Sequence, residues 1–159
     1  MTIVSFDFDD TLAWNEVIRD PVDGEIEDTV PAGVNPTIMP LLHAALDRGD
    51  EVHIVTTRHA RLWREDTLTH LREWGVLDRL AGVHFTNGEW KAGTLARLRV
   101  QVHHDDDQDE LDRLPPGCAG VLAPLHPSWG EIPCNRPRPR LRAEIAQGRP
   151  HGEVRHDRR

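Results

Sequence analysis

Four short segments of the chain contain the side chains that could do chemistry. In chain order they are Asp7-Phe8-Asp9-Asp10-Thr11, Thr56-Thr57-Arg58-His59, Lys91 and Asp105-Asp106-Asp107. Carboxylates are hard oxygen ligands of the kind that Mg²⁺ prefers, and they can also act as nucleophiles or as general acids and bases. Each segment alone is also compatible with a helix cap, a solvated loop or an ordinary strand end. Their chemistry therefore depends on whether the fold brings them together.

The predicted secondary structure would place these segments at one edge of a sheet. Apolar, β-branched runs predict strands over residues 2–8, 51–57, 83–86, 100–104 and 120–122. Helical periodicity predicts helices over residues 60–74, 90–98 and 107–114, and another between Asn35 and Gly49. Strands that alternate with helices indicate an α/β fold, a parallel sheet with helices on both faces. Ligands of such sheets bind beyond the carboxyl ends of the strands, which is where the polar segments fall.

Two stretches depart from this alternation. Residues 13–32 are acidic and contain Asp23-Gly24, a dipeptide that favours a tight hairpin turn, so we expect a small β-flap there. Residues 135–159 carry eight Arg against three acidic residues, a net charge of +5, and several Pro. We expect a core domain over residues 1–134 followed by this basic tail, whose arginines are either solvated or in contact with phosphates.

Composition narrows the class of protein. The 159 residues have a net charge of −8, which leaves −13 for residues 1–134 and argues against a nucleic-acid-binding surface over the whole body. There is no run of eighteen apolar residues and no basic amino-terminal signal segment, so we expect neither a membrane span nor secretion. Cys118 and Cys134 do not follow CxxC spacing, which favours two free thiols in a cytoplasmic protein over a single disulfide.

The four segments resemble the four motifs of the haloacid dehalogenase (HAD) superfamily. The matching residues are Asp7-x-Asp9-x-Thr11, Thr56 after an apolar strand, Lys91, and Asp105-Asp106 after another strand. The resemblance covers roughly residues 1–125 and implies a Rossmann-like sheet, Mg²⁺ as the cofactor and an aspartyl nucleophile. An acidic residue at position 9 is typical of the phosphatase members of the superfamily.

The resemblance also implies a role for each matching residue. Asp7 would attack phosphorus and form an aspartyl-phosphate, while Asp9 would act as general acid and then as general base. Thr56 and Lys91 would bind phosphoryl oxygens, and Lys91, the only Lys among 19 basic residues, would also orient Asp7. The implied Mg²⁺ ligands are Asp7, the backbone carbonyl of Asp9, Asp105, and Asp106 directly or through water.

Within the superfamily, the chain is most similar to the phosphatase domain of phage-type polynucleotide kinase-phosphatases, which remove 3′-phosphates from nucleic-acid ends. The stretches that carry this similarity are Val34-Asn35-Pro36, residues 55–59 and residues 104–107. Thr57 stands where that family usually has Gly, and no GxxxxGK[ST] segment of a kinase is present. The short segment between the first motif and the first helix allows only a flap as a cap, which would leave an open site.

Four residues are candidates for binding the substrate. Thr57 would form part of the pocket wall, and Arg58 and His59 should lie at the rim. Arg58 would either clamp a phosphate or pair with Glu65 or another nearby acid. Trp14 would either stack on a base or cover the core beneath the flap.

The sequence leaves three hypotheses about function. The first is a Mg²⁺-dependent phosphomonoesterase acting on nucleotides or on the 3′-phosphate ends of nucleic acids. The second is the same chemistry on a small metabolite, such as a sugar phosphate or a biosynthetic intermediate. The third is a non-catalytic HAD-like binding module that makes contact through its arginine tail, a role that has no need of the complete set of motif residues.

Overall fold

Short apolar strands form one parallel sheet and a separate hairpin. A computed structural model describes residues 1–130, and the expected tail at 135–159 lies outside the described residues. The strands of this region are β1 (Ile3–Phe6), β2 (Ala13–Arg19), β3 (Ile26–Val34), β4 (Glu51–Thr56), β5 (Gly82–Phe85), β6 (Val102–Asp105) and β7 (Ala119–Leu122). Five of them pair in parallel in the order β5-β4-β1-β6-β7, which confirms the predicted α/β class. All five begin and end within two residues of the predicted bounds.

Helices cover both faces of the sheet because side chains alternate along each strand. The helices are α1 (Ile38–Asp47), α2 (Ala60–Glu73), α3 (Ala92–Leu98) and the single turn α4 (Gln108–Leu111). On β4, Ile54 packs in one core cluster with Leu42 of α1 and Leu71 of α2. The next residue, Val55, packs in a second cluster with Leu95 of α3. None of the helices within residues 1–130 has both the length and the apolar character needed to cross a membrane.

α1 begins three residues after the predicted cap Asn35, whose side chain still binds the first N–H groups. Oδ1 of Asn35 accepts hydrogen bonds from the backbone N–H of Thr37 at 3.0 Å and of Ile38 at 3.4 Å. These contacts satisfy two of the N–H groups that have no partner within the helix. Gly49 follows the helix with φ +74°, a conformation that glycine adopts without strain.

The expected flap is present as the hairpin formed by β2 and β3, which pair in antiparallel fashion. Its connection turns at Gly24, with φ +75°, and Oδ1 of Asp20 accepts the backbone N–H of Val22 at 2.6 Å. The hairpin follows the first acidic segment directly, since β2 begins two residues after Thr11. It therefore lies beside the expected site.

Residues 123–130, here called the strap, hold the hairpin against the body. Ser128 Oγ accepts the backbone N–H of Val17 at 2.8 Å, and the carbonyl of Trp129 accepts from Arg19 at 3.0 Å. The buried Trp129 ring donates its Nε1–H to the carbonyl of Asn15 at 3.0 Å. These contacts join the hairpin to a segment more than a hundred residues away in sequence.

The two cysteines are only partly covered by the structure. Cys118 is half-buried at the end of the loop before β7, and its thiol packs beside the second core cluster. Burial raises the pKa of this thiol, which makes it less reactive at neutral pH. Cys134 lies outside the described residues, so the pair of free thiols stays a prediction.

Candidate active site

Three neighbouring strands bring the acidic segments together at their carboxyl ends. Phe6 of the central strand β1 is in register with Ile54 of β4 on one side and His104 of β6 on the other. The residues that follow on β1 and β6 are Asp7 and Asp105, so their side chains emerge next to each other. The backbone N–H of Asp7 donates to the carbonyl of His104 at 2.9 Å, which fixes this alignment beyond the end of β1.

Lys91 bridges the two strand ends. Its ammonium Nζ lies 2.9 Å from Oδ1 of Asp7 and 2.5 Å from Oδ2 of Asp105, and the residue is buried. Burial acts to lower the pKa of Lys91, but the charges of Asp105, Asp7 and Glu110 outweigh it and raise the pKa. The ammonium therefore stays charged, as its predicted role requires.

Three buried carboxylates form a compact cluster at this edge. One oxygen each from Asp7, Asp105 and Asp106 lies within 4.8 Å of the other two. Burial raises the pKa of Asp7 well above its usual value, and Asp105, Asp106 and Asp9 raise it further, although Lys91 acts in the opposite direction. Hard oxygen donors at this spacing, together with a carboxyl that is destabilised as an anion, fit a small divalent cation such as Mg²⁺.

The position of Asp106 is fixed by Thr11, in the turn between β1 and β2. The hydroxyl Oγ1 of Thr11 lies 3.1 Å from Oδ1 of Asp106 and accepts the backbone N–H of Asp106 at 3.0 Å. Thr11 is fully buried, so water does not compete for this hydrogen bond. The Thr that closes the first predicted motif therefore acts as a support for the fourth.

Asp105 is supported by contacts to both of its carboxylate oxygens. Its Oδ2 accepts from Lys91 and lies 3.0 Å from Nε2 of His103, while its Oδ1 accepts the backbone N–H of Asp107 at 2.8 Å. Burial acts to raise the pKa of Asp105, but the Lys91 charge and the His103 hydrogen bond outweigh it and lower the pKa. Burial lowers the pKa of His103, which favours the neutral ring. His103 is therefore the histidine of β6 that contacts the site.

Glu110 is a further buried acid that the sequence analysis did not identify. Its Oε2 accepts the backbone N–H of Lys91 at 3.2 Å, and the residue is 6% exposed. Burial raises the pKa of Glu110. It was not identified from the sequence because an acidic residue in a predicted helix is most often exposed.

The side chain of Asp9 is held by Arg58 and does not join the three-carboxylate cluster. Arg58 donates from Nε to Oδ2 and from Nη2 to Oδ1 of Asp9, both at 2.8 Å. Its Nη1 donates to Asp66 at 2.7 Å and to Thr67 at 3.0 Å, both on α2. The guanidinium also lies over the ring of Phe8, 4.4 Å from its centroid.

These contacts correct the expected location of Arg58. It is 1% exposed and lies in the interior, not at the rim. Of the two alternatives, pairing with local acids is the one observed, with Asp9 and Asp66 as partners in place of Glu65. The physical reason is that two carboxylates and the rings of Phe8 and Trp63 compensate for its removal from water.

The neighbours of Arg58 remain closer to their expected places. Thr56 ends β4 and is fully buried, and its Oγ1 accepts the backbone N–H of Arg58 at 3.3 Å. Thr57 and His59 are half-buried. The carbonyl of Thr57 accepts the backbone N–H of Gly88 at 2.8 Å, which ties this strand end to the loop before α3.

Trp14 packs between the hairpin and the strap. Its Nε1–H donates to the carbonyl of Pro124 at 3.0 Å, and its ring meets His126 edge to face at 5.1 Å. The indole N–H is therefore already satisfied within the protein. These contacts are with the strap, so both roles expected for Trp14, base stacking and covering the core, stay predictions.

Comparisons with known proteins do not assign the site. No protein-family model matches the chain, and no curated protein sequence matches it. The chemistry proposed below is supported by the contacts among Asp7, Lys91, Asp105 and Asp106 and by the motif resemblance.

Proposed function

We propose that this protein is a Mg²⁺-dependent phosphomonoesterase of the HAD type that acts on nucleotides or on the 3′-phosphate ends of nucleic acids. The observation that carries the proposal is the buried cluster of Asp7, Asp105 and Asp106 with Lys91 bridging two of its members. A binding module has no need of three buried carboxylates and a buried ammonium, because removing such charges from water lowers the stability of the fold.

Asp7, Asp105 and Asp106 would hold Mg²⁺, which supplies a Lewis acid that screens the negative charge of the phosphate from the attacking carboxylate. Asp7 attacks phosphorus and forms an aspartyl-phosphate as the bond to the leaving oxygen breaks. Lys91 fixes the Asp7 carboxylate through its Oδ1 and provides positive charge beside the transferred group. A water molecule then cleaves the aspartyl-phosphate and regenerates Asp7.

Asp9 transfers protons in both steps. It donates a proton to the leaving oxygen in the first step and accepts one from the attacking water in the second. Arg58 donates to both oxygens of Asp9 before substrate binds, so Asp9 must release one of these contacts and take up a proton before it acts as the acid. Thr56, at the end of β4, donates a hydrogen bond from its hydroxyl to a phosphoryl oxygen.

The hairpin supports the choice of a large substrate. The cap over residues 13–34 consists of two strands that the strap holds in place, with no inserted domain to enclose a small molecule. A site with this cap suits the end of a polymer as well as a mononucleotide.

The test is phosphate release from a panel of esters with and without Mg²⁺. The panel contains a 3′-phosphorylated oligonucleotide, the same oligonucleotide with a 5′-phosphate, 3′- and 5′-mononucleotides, and sugar phosphates. Asp7→Asn should lower kcat by more than about 10³-fold, whereas Asp109→Asn, an exposed acid on α4, should not change it. Preference for sugar phosphates would retain the chemistry and reject the nucleic-acid substrate. Release that survives Asp7→Asn would reject the proposed mechanism.

A further inference from the structure

A continuous chain of buried polar contacts runs from the middle of β1 to the candidate nucleophile. Ser5 Oγ lies 2.7 Å from Nδ1 of His103, and Nε2 of His103 lies 3.0 Å from Oδ2 of Asp105. The same Oδ2 accepts from Lys91, which in turn contacts Asp7. Ser5, His103 and Asp105 are fully buried.

The direction of each hydrogen bond follows from the groups involved. Oδ2 of Asp105 accepts from Lys91, so it also acts as the acceptor towards His103, and the shared proton is on Nε2 of His103. In a neutral ring Nδ1 is then an acceptor, and the hydroxyl of Ser5 is the donor that faces it. The serine therefore selects one tautomer of the imidazole.

We propose that His103, fixed by Ser5, is a positioning residue that orients the Asp105 carboxylate for cation binding. This inference rests on the proposed function, since it concerns the same cluster. Neither residue belongs to the four motif segments. Both precede the carboxyl ends of their strands, so neither is placed in contact with substrate.

A count of acceptor positions shows what this arrangement leaves available. A carboxylate has about four lone-pair positions, two on each oxygen. On Asp105, Oδ2 accepts from Lys91 and His103, and Oδ1 accepts from the backbone N–H of Asp107. One position on Oδ1 remains, so Asp105 can coordinate a cation through one oxygen but not through both.

The first test measures cation affinity without turnover. The probe is Mn²⁺, an ion that also prefers oxygen ligands, and its binding to the full-length protein is followed by electron paramagnetic resonance. His103→Leu removes the donor and should weaken Mn²⁺ binding by about tenfold or more, as is typical for residues that support a metal ligand. His103→Gln keeps an N–H donor near the position of Nε2 and should bind within about threefold of wild type.

The chain offers a matched control on the other side of Ser5. His53 of β4 is in register with Ser5, as His103 of β6 is, and it is also buried. His53 contacts Glu51 and His84 instead of the acidic cluster. His53→Leu should therefore leave Mn²⁺ affinity unchanged.

The second test reads the tautomer in the wild-type protein. In protein labelled with ¹⁵N-histidine, the His103 signals are assigned as those missing from His103→Gln. We expect a protonated Nε2 and an unprotonated Nδ1, and Ser5→Ala should disturb this pattern. The opposite tautomer or a doubly protonated ring would overturn the inference, and this result does not depend on whether His103→Leu folds.

The possible outcomes separate this inference from the proposed function. Equal losses of Mn²⁺ affinity in His103→Leu and His103→Gln, or no loss in either, would overturn the role of His103 while leaving phosphatase activity possible. A selective loss in His103→Leu would support the role even if no phosphate ester is hydrolysed. A wild-type protein that does not bind Mn²⁺ would overturn both.

Discussion

The pairing of Arg58 with Asp9 predicts that Arg58→Ala destabilises the protein strongly. Arg58 makes four hydrogen bonds, two to Asp9, one to Asp66 and one to Thr67. Its guanidinium also lies over the ring of Phe8. The change to alanine removes all of these contacts and leaves two carboxylates without this partner.

The expected loss can be worked out from the burial of each partner. Removing one member of a buried ion pair typically costs about 3–5 kcal/mol. The side chains of Asp9 and Asp66 are 16% and 38% exposed, so both can reach water once Arg58 is gone. We therefore expect the lower end of the range, about 3 kcal/mol, which for a chain of this size lowers the melting temperature by about 6–12 °C.

Two further variants test the reason for the loss. Arg58→Lys keeps the positive charge but cannot make the planar two-pronged contact, so we expect an intermediate loss of about 1–2 kcal/mol. Arg79→Ala removes an exposed ion pair of 2.6 Å with Asp47, and such pairs contribute less than about 1 kcal/mol. It is the matched control for the loss of an arginine charge.

The assay is urea denaturation of the four proteins, followed by circular dichroism at neutral pH. A double-mutant cycle with Asp9→Asn should give a coupling free energy between Arg58 and Asp9 of about 1–3 kcal/mol. If Arg58→Ala costs no more than Arg79→Ala, or if the cycle shows no coupling, the buried contact with Asp9 does not stabilise the fold and the reasoning is refuted.

Three other changes have defined outcomes. In EDTA at pH 7, Asp7→Asn should raise the melting temperature. The reason is that burial raises the pKa of Asp7, so the stability that its carboxyl contributes is lost as the pH rises through that pKa. A lower melting temperature would contradict this. Burial lowers the pKa of His104 to about 4, so its ring is buried in the neutral form. The stability that this neutral ring contributes is lost as the pH falls from 6.5 towards 4. Urea denaturation should then show that His104→Leu reduces the loss of stability between pH 7 and 5 by about 2 kcal/mol. Trp129→Ala should cost about 3–5 kcal/mol and speed amide hydrogen exchange over residues 13–34 but not in β4, whereas uniform exchange would refute the anchoring role of the strap.

The secondary structure could be predicted because local patterns determine it. The run at residues 51–57 has buried positions on both faces and forms β4. Asn35 precedes α1 and caps its first turn. The first strand ends at Phe6 instead of Phe8, because the chain turns at Asp10, which has φ +58°. A non-glycine residue in this conformation gives no sequence signal of its own.

The contacts of long side chains could not be predicted in the same way. The position of Arg58 two residues after Thr56 says nothing about whether its side chain turns outward or inward. That direction depends on Asp9, 49 residues earlier, and on two residues of α2 that are adjacent only after folding. The strap is a similar case, since Pro124 and Ser128 contact a hairpin more than a hundred residues away.

The two buried cations of the site have different geometric tasks, and this explains why one is Lys and the other Arg. Arg58 meets the two oxygens of a single carboxylate, Asp9, which match its planar fork. Lys91 meets oxygens of two different carboxylates, and a compact ammonium can donate in both directions. Even with Lys91 2.9 Å away, the pKa of Asp7 is raised, so one ammonium does not offset burial and the neighbouring carboxylates. A divalent cation at the cluster would stabilise Asp7 as an anion, which is the form a nucleophile requires.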